Sequence, residues 1–174
     1  MHSLDQLYQQ IILDHAQART GSGTIPDTAT NSSHQVNPTC GDEVTLALSL
    51  GTDGTIDDLV WEGEGCSISQ ASLSMMCELV DGKTPAEIRA LDEAFSTMMH
   101  SRGGDVDDDI LDTLGDAASL QGTSQFPNRV KCALLGWMAL RDALVHAEGE
   151  RRRRSDEPDG RPRPRSSALR RGSG

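Results

Sequence analysis

Leu4, Leu7, Tyr8, Ile11 and Ile12 recur at helical spacing and predict an amphipathic helix over residues 4–18, with Ser3 as N-cap. The pattern then lapses: residues 19–33 are rich in Gly, Ser, Thr and Asn and read as a loop. From Glu43 to Leu50 the period becomes two, with Val44, Leu46, Leu48 and Leu50 facing one way and Thr45, Ala47 and Ser49 the other. That is a strand with one buried face. Gly51-Thr52-Asp53-Gly54 reads as a hairpin turn, and Ile56–Glu62 as the antiparallel partner, its Trp61 packed against helices. Helical spacing returns with Ala71, Met75, Met76 and Leu79, in a helix that begins near Cys66 with Ser67 or Ser69 as its cap. Thr84-Pro85-Ala86-Glu87 is a capping box with proline at N1, followed by a stripe of Ile88, Leu91, Phe95, Met98 and Met99. A short helix is expected at Ile110–Leu114 and a last one at 127–147, opened by Pro127 and lined by Val130, Leu134, Trp137, Leu140 and Leu144. The fold class is therefore α+β, a small antiparallel sheet with helices packed on one face.

The chain has 174 residues, enough for one domain with a real core. No apolar run approaches the roughly 20 residues that span a bilayer, and the first residues lack a signal-peptide pattern. A cytoplasmic, reduced protein is expected, so its four cysteines do not imply disulfides. The net charge of −11 is unevenly spread: residues 1–150 carry −17 and residues 151–174 carry +6. So acidic a body is a poor nucleic-acid binder and suits a basic partner. Four consecutive arginines followed by Pro, Gly, Ser and more Arg leave little to bury. The expected organisation is a domain over 1–149 and a disordered Arg-rich tail over 150–174.

The candidate chemistry lies at Asn37-Pro38-Thr39-Cys40-Gly41-Asp42. Proline fixes φ and glycine allows close approach, so this reads as an exposed turn presenting Cys40 and Asp42 to one centre. Cys66, at the start of a helix, and Cys132, in the early turns of the last one, could complete a four-ligand set. Three thiolates and a carboxylate suit tetrahedral zinc, though no CxxC pair is present. A thiol at a helix N-terminus is favoured as thiolate. Arg129, three residues before Cys132, shares its helix face. Cys77 reads as core, and His15 and His100 as structural or solvated. Asp105–Asp109 lacks the glycine and terminal glutamate of an EF-hand and reads as an acidic helix start.

Asn37–Asp42, Gly63-Glu64-Gly65-Cys66-Ser67-Ile68-Ser69 and Arg129-Val130-Lys131-Cys132 together resemble the SufU-type branch of the IscU/NifU N-terminal-like iron–sulfur assembly family, over about Leu4 to His146. Lys131 stands where IscU scaffolds carry histidine, and Gln125-Phe126-Pro127-Asn128 where they carry a chaperone-recruiting motif. The resemblance implies a third strand near the end of 19–33. It implies zinc held by Cys40, Asp42, Cys66 and Cys132, and a separate pyridoxal-phosphate-dependent cysteine desulfurase as partner, with SUF assembly machinery downstream. In that scheme a partner histidine takes Cys40's place on zinc, and Cys40 accepts persulfide sulfur with Arg129 in support. Two alternatives stand beside it: an IscU-like scaffold carrying a transient [2Fe–2S] cluster, and an interaction module with a structural zinc.

Overall fold

The computed structural model describes residues 2–155 of the chain. The elements run α1 (His2–Ala18), β1 (Ser32–Asn37), β2 (Asp42–Leu50), β3 (Ile56–Glu64), α2 (Ser67–Val80), α3 (Pro85–Met99), α4 (Asp108–Leu114), a 3-10 stretch (Gly115–Gln125) and α5 (Pro127–Ser155). The strands form one antiparallel sheet in the order β1-β2-β3. Its registers pair Asn37 with Asp42 at one end and Leu46 with Trp61 mid-sheet. Val44, Leu46 and Trp61 are fully buried on the inner face. Across that face lies α5, against β1, β2 and α2. It comes close because its packed side is small: Ala133, Gly136, Ala139 and Ala143 are buried. A Cβ on Gly136 would stand 2.4 Å from Leu73 Cδ2 of α2. Trp137 stacks on Phe95 of α3 at 4.8 Å.

Several boundaries differ from the sequence pattern. α1 starts at His2, so Ser3 lies within its first turn rather than capping it. Its second half docks through Ile11, Ile12, His15 and Ala16, while Leu4 and Leu7 stay about half exposed. Neither Ser67 nor Ser69 caps α2: Cys66 itself holds the N-cap position, and Ser69 Oγ donates to Cys66 O. The Thr84–Glu87 capping box is formed from both sides, at 3.0 and 3.2 Å. The packed face of α5 includes Leu135, which is buried, as well as Leu134, which is partly buried against the core, since the helix is covered on more than one side.

Residues 150–155, expected to be disordered, are helical instead, because α5 continues through Ser155. Arginine is a good helix former, and here the run is tied down. Arg154 donates to Glu150 at 2.7 Å and Arg151 to Thr52 O at 3.2 Å. The rest of the expected tail, residues 156–174, lies outside the described residues.

Cys77 sits in the core against Trp61 and Gly21, and burial pushes its thiol up to about 12. Cys77→Ala is expected to cost about 1–2 kcal/mol, the loss of one small packed side chain, and to leave metal content unchanged. Urea melts and metal analysis check both; loss of metal from a folded variant would contradict this placement.

Candidate metal centre

The β1–β2 connection is a four-residue loop, Pro38–Gly41, closed when Gly41 N–H donates to Asn37 O at 2.8 Å. Gly41 takes φ +77, a left-handed conformation that glycine adopts without strain, and a Cβ there would meet nothing within 4 Å. Asn37 Oδ1 accepts from Thr39 N–H at 3.2 Å and shapes the same turn. Cys40 stands exposed at its tip. Asp42, the first residue of β2, is buried on the inner side.

Three elements converge here. Cys40 Sγ lies 3.4 Å from Cys132 Sγ, which α5 buries one and a half turns from its start. Asp42 Oδ1 accepts from Cys66 N–H at 3.1 Å, and Asp42 Oδ2 is 3.5 Å from Cys66 Sγ. Ligand atoms of Cys40, Asp42 and Cys132 all fall within 4.8 Å of one another. All four sequence candidates thus lie at one end of the sheet, three of them in mutual reach and Cys66 joined to them through Asp42. Burial alone would raise the Asp42 carboxyl, yet hydrogen bonds from the Cys132 and Cys40 thiols and from Cys66 outweigh it and hold it below the usual range. Burial pushes the Cys132 thiol well up, and Asp42, Cys40 and Cys66 beside it add to the effect. Crowded acids that repel as they ionise are what a divalent cation relieves. The 3.4 Å between two sulfurs compares with an edge of about 3.8 Å for a tetrahedron with zinc–sulfur bonds of about 2.3 Å, and the 3.5 Å between sulfur and carboxylate oxygen with a mixed edge of about 3.5 Å. Donor set and spacing therefore fit zinc.

Arg129 is exposed, its guanidinium 5.8 Å from the Phe126 ring centroid. His15 is buried and pinned, with Nδ1 2.9 Å from Ser74 Oγ and Nε2 3.0 Å from Asp116 Oδ2. It also approaches Glu78, but both ring nitrogens are engaged, which makes it a structural link between α1, α2 and the 3-10 stretch. His100 is exposed and bonds its own helix at Ser96 O.

Two positions were missed by sequence reasoning. Arg19, in a left-handed conformation (φ 47°), stacks on Trp61 at 4.8 Å and donates to the Gln70 side chain and, at 3.4 Å, to Gly63 O. It brackets the junction that carries Cys66. Gly65 matters through its size: a Cβ there would stand 2.3 Å from Ser69 Oγ and 2.8 Å from Asp42 Cγ. Gly65→Ala is expected to push Asp42 off the Cys66 N–H and lower zinc affinity tenfold or more, the range for lost support of a ligand. Competition against a colorimetric chelator measures it; wild-type affinity would show that Asp42 yields without cost.

The sequence profile described as "NifU-like N terminal domain" matches residues 7–149. Among characterised relatives, the zinc-dependent sulfurtransferase SufU of Bacillus subtilis is 42% identical over 147 residues, covering 84% of this chain and 95% of that one. The iron–sulfur cluster assembly scaffold protein IscU of Streptococcus pyogenes is 35% identical over 144 residues, covering 83% and 86%. The crystal structure of a nitrogen-fixing NifU-like protein (N-terminal) from Brucella abortus superposes with a TM-score of 0.68 at 27% identity, covering 84% and 97%.

Proposed function

The chain belongs to the NifU-like N-terminal domain family, and from that premise we propose that it serves iron–sulfur cluster assembly as a zinc-dependent acceptor of persulfide sulfur. The observation that carries this reading is the grouping of Cys40, Asp42 and Cys132, with Cys66 joined to it through Asp42, in which Cys40 and Cys66 are both exposed and Cys40 alone stands on a loop. These four residues would hold the zinc. When bound, it supplies charge that keeps the thiols as thiolates near neutral pH. The partner is a pyridoxal-phosphate-dependent cysteine desulfurase, and the sulfur passes on to SUF assembly machinery in the cytoplasm.

The residues divide the work. Cys66 is fixed by its N–H to Asp42 and by Ser69 Oγ and Gln70 N–H on its carbonyl. Cys132 is fixed by helix α5. The Cys40 backbone is held only by the turn around it, so its thiol can leave Cys132 and reach outward with a small backbone rotation. Its thiolate attacks the terminal sulfur of the partner's persulfide. The partner's S–S bond breaks as the new one to Cys40 forms, and the partner's cysteine leaves as thiolate. Arg129, on the rim of the same helix start, supports the anion. Lys131 is exposed and cannot ligate as a cation, which favours sulfur acceptance over cluster building.

The test is incubation with desulfurase and cysteine, alongside metal analysis of the purified protein. Faster desulfurase turnover, a persulfide on this chain, stoichiometric zinc and no colour are expected. An iron chromophore that builds on the chain would favour the [2Fe–2S] scaffold. Zinc with neither persulfide nor stimulation would leave a structural zinc module.

A further inference from the structure

We propose that Asn37 is a further catalytic residue, whose side-chain N–H₂ donates a hydrogen bond to the sulfur anion carried on Cys40; this rests on the sulfur-acceptor reading above. Asn37 is 6% exposed, yet its Nδ2 has no hydrogen-bond partner among the described residues. A buried donor left unpaired costs about 1–3 kcal/mol, and of the three such atoms among the described residues, with Ser119 Oγ and Trp137 Nε1, this one belongs to a residue that borders the thiol cluster. The orientation of the amide follows from its surroundings. Oδ1 accepts from Thr39 N–H at 3.2 Å, which leaves the nitrogen as the free end.

Its position points the same way. Asn37 pairs with Asp42 across β1 and β2, so the two side chains stand on one face of the sheet, about 5 Å apart at Cβ. The Asp42 carboxylate is already at the thiols. Asn37 also closes the loop whose tip is Cys40, by accepting Gly41 N–H. The cluster it borders is rich in acceptors, with one carboxylate and three sulfurs, and in acids that repel when ionised. A neutral donor of two hydrogens is what that cluster lacks. Acceptance of sulfur turns the Cys40 thiolate into a persulfide whose terminal sulfur carries the negative charge. A fixed amide donor stabilises that charge without adding a cation that would compete with the metal.

Two substitutions test this, because they share only the loss of the donor. Asn37→Asp keeps an oxygen for Thr39 N–H but adds a charge, whereas Asn37→Val adds no charge but gives up the Thr39 bond. The readout is the single-turnover rate at which desulfurase-derived sulfur appears on Cys40, by mass spectrometry, with zinc content and melting temperature recorded for each protein. Both variants are expected to hold zinc and to load at least tenfold more slowly than wild type. Slow loading in Asn37→Asp alone would assign the effect to charge, and in Asn37→Val alone to the shape of the turn; either overturns the proposal, as does wild-type loading in both. Should Asn37→Val fail to fold, Asn37→Ala takes its place with the same reading. Wild-type protein that never loads Cys40 would overturn the acceptor reading itself, and this inference with it.

Discussion

Stripping the metal with a strong chelator is expected to lower the melting temperature by on the order of 10 °C. The proposed ligands come from the β1–β2 loop, the β3–α2 junction and α5, so one ion ties together segments as far apart as Cys40 and Cys132. An ion present at a thousand times its dissociation constant stabilises by about 4 kcal/mol, and a domain of this size shifts by about 2–4 °C per kcal/mol. The metal-free protein should also show a distinct pH trend. Burial pushes the Cys132 thiol up, with Asp42, Cys40 and Cys66 adding to it, and burial pushes Cys77 up to about 12. Both thiols therefore hold their protons more tightly folded than unfolded. Their contribution is intact below the unfolded thiol value of about 8.5 and is lost as pH rises from there through the folded values, which for Cys77 is about 12. Metal-loaded protein should run the other way through neutral pH, since its ligands must shed protons to bind. Thermal melts with and without chelator, from about pH 6 to 10, read both. An unchanged curve after verified metal removal would mean that the ligands do not bind the chain together.

Elements with long, uninterrupted patterns were legible in the sequence. β2 and α3 carry clean periods and explicit end signals, and both stand where the pattern places them. The stripe of α1 marks a helix in the sequence, but the sequence could not show that Leu4 and Leu7 stay about half exposed. The 3-10 stretch left no mark, because Gly115–Gln125 has neither helical nor strand period and is held by tertiary packing of Leu120 and Ala117. At the site the cysteines and Asp42 were visible as residue types capable of ligation. Their approach was not, since 92 positions separate Cys40 from Cys132. Gly65 shows the limit most clearly. Its role is to be small beside Asp42, and smallness against a particular neighbour cannot be read from a single chain. Asn37 is similar: an asparagine before a turn looks like turn chemistry, and only its burial exposes the unpaired nitrogen.

Cys40→Ser is expected to abolish sulfur acceptance while leaving most of the fold, whereas Cys66→Ser and Cys132→Ser should lose metal and stability together. The difference follows from what holds each thiol. Cys66 has both backbone groups engaged, the N–H by Asp42 and the carbonyl by Ser69 and Gln70, so moving it opens the start of α2. Cys132 is 5% exposed in the second turn of α5, the helix that covers the sheet, and moving it disturbs the core. Cys40 is exposed, as Cys66 is, but it sits in a loop beside Gly41, which takes φ +77. A small rotation there carries the thiol outward and breaks no helix. Serine in its place keeps the turn but is a far poorer nucleophile near neutral pH, because its hydroxyl is not ionised there. Sulfur loading should therefore fall by at least about a hundredfold, the scale on which losing an attacking group acts. Each variant is incubated with desulfurase and cysteine, trapped with an alkylating reagent and mapped by mass spectrometry, with zinc content measured alongside. A persulfide found on Cys66 or Cys132 and never on Cys40 would transfer the role to a thiol that the backbone holds in place, and this mechanism would fail.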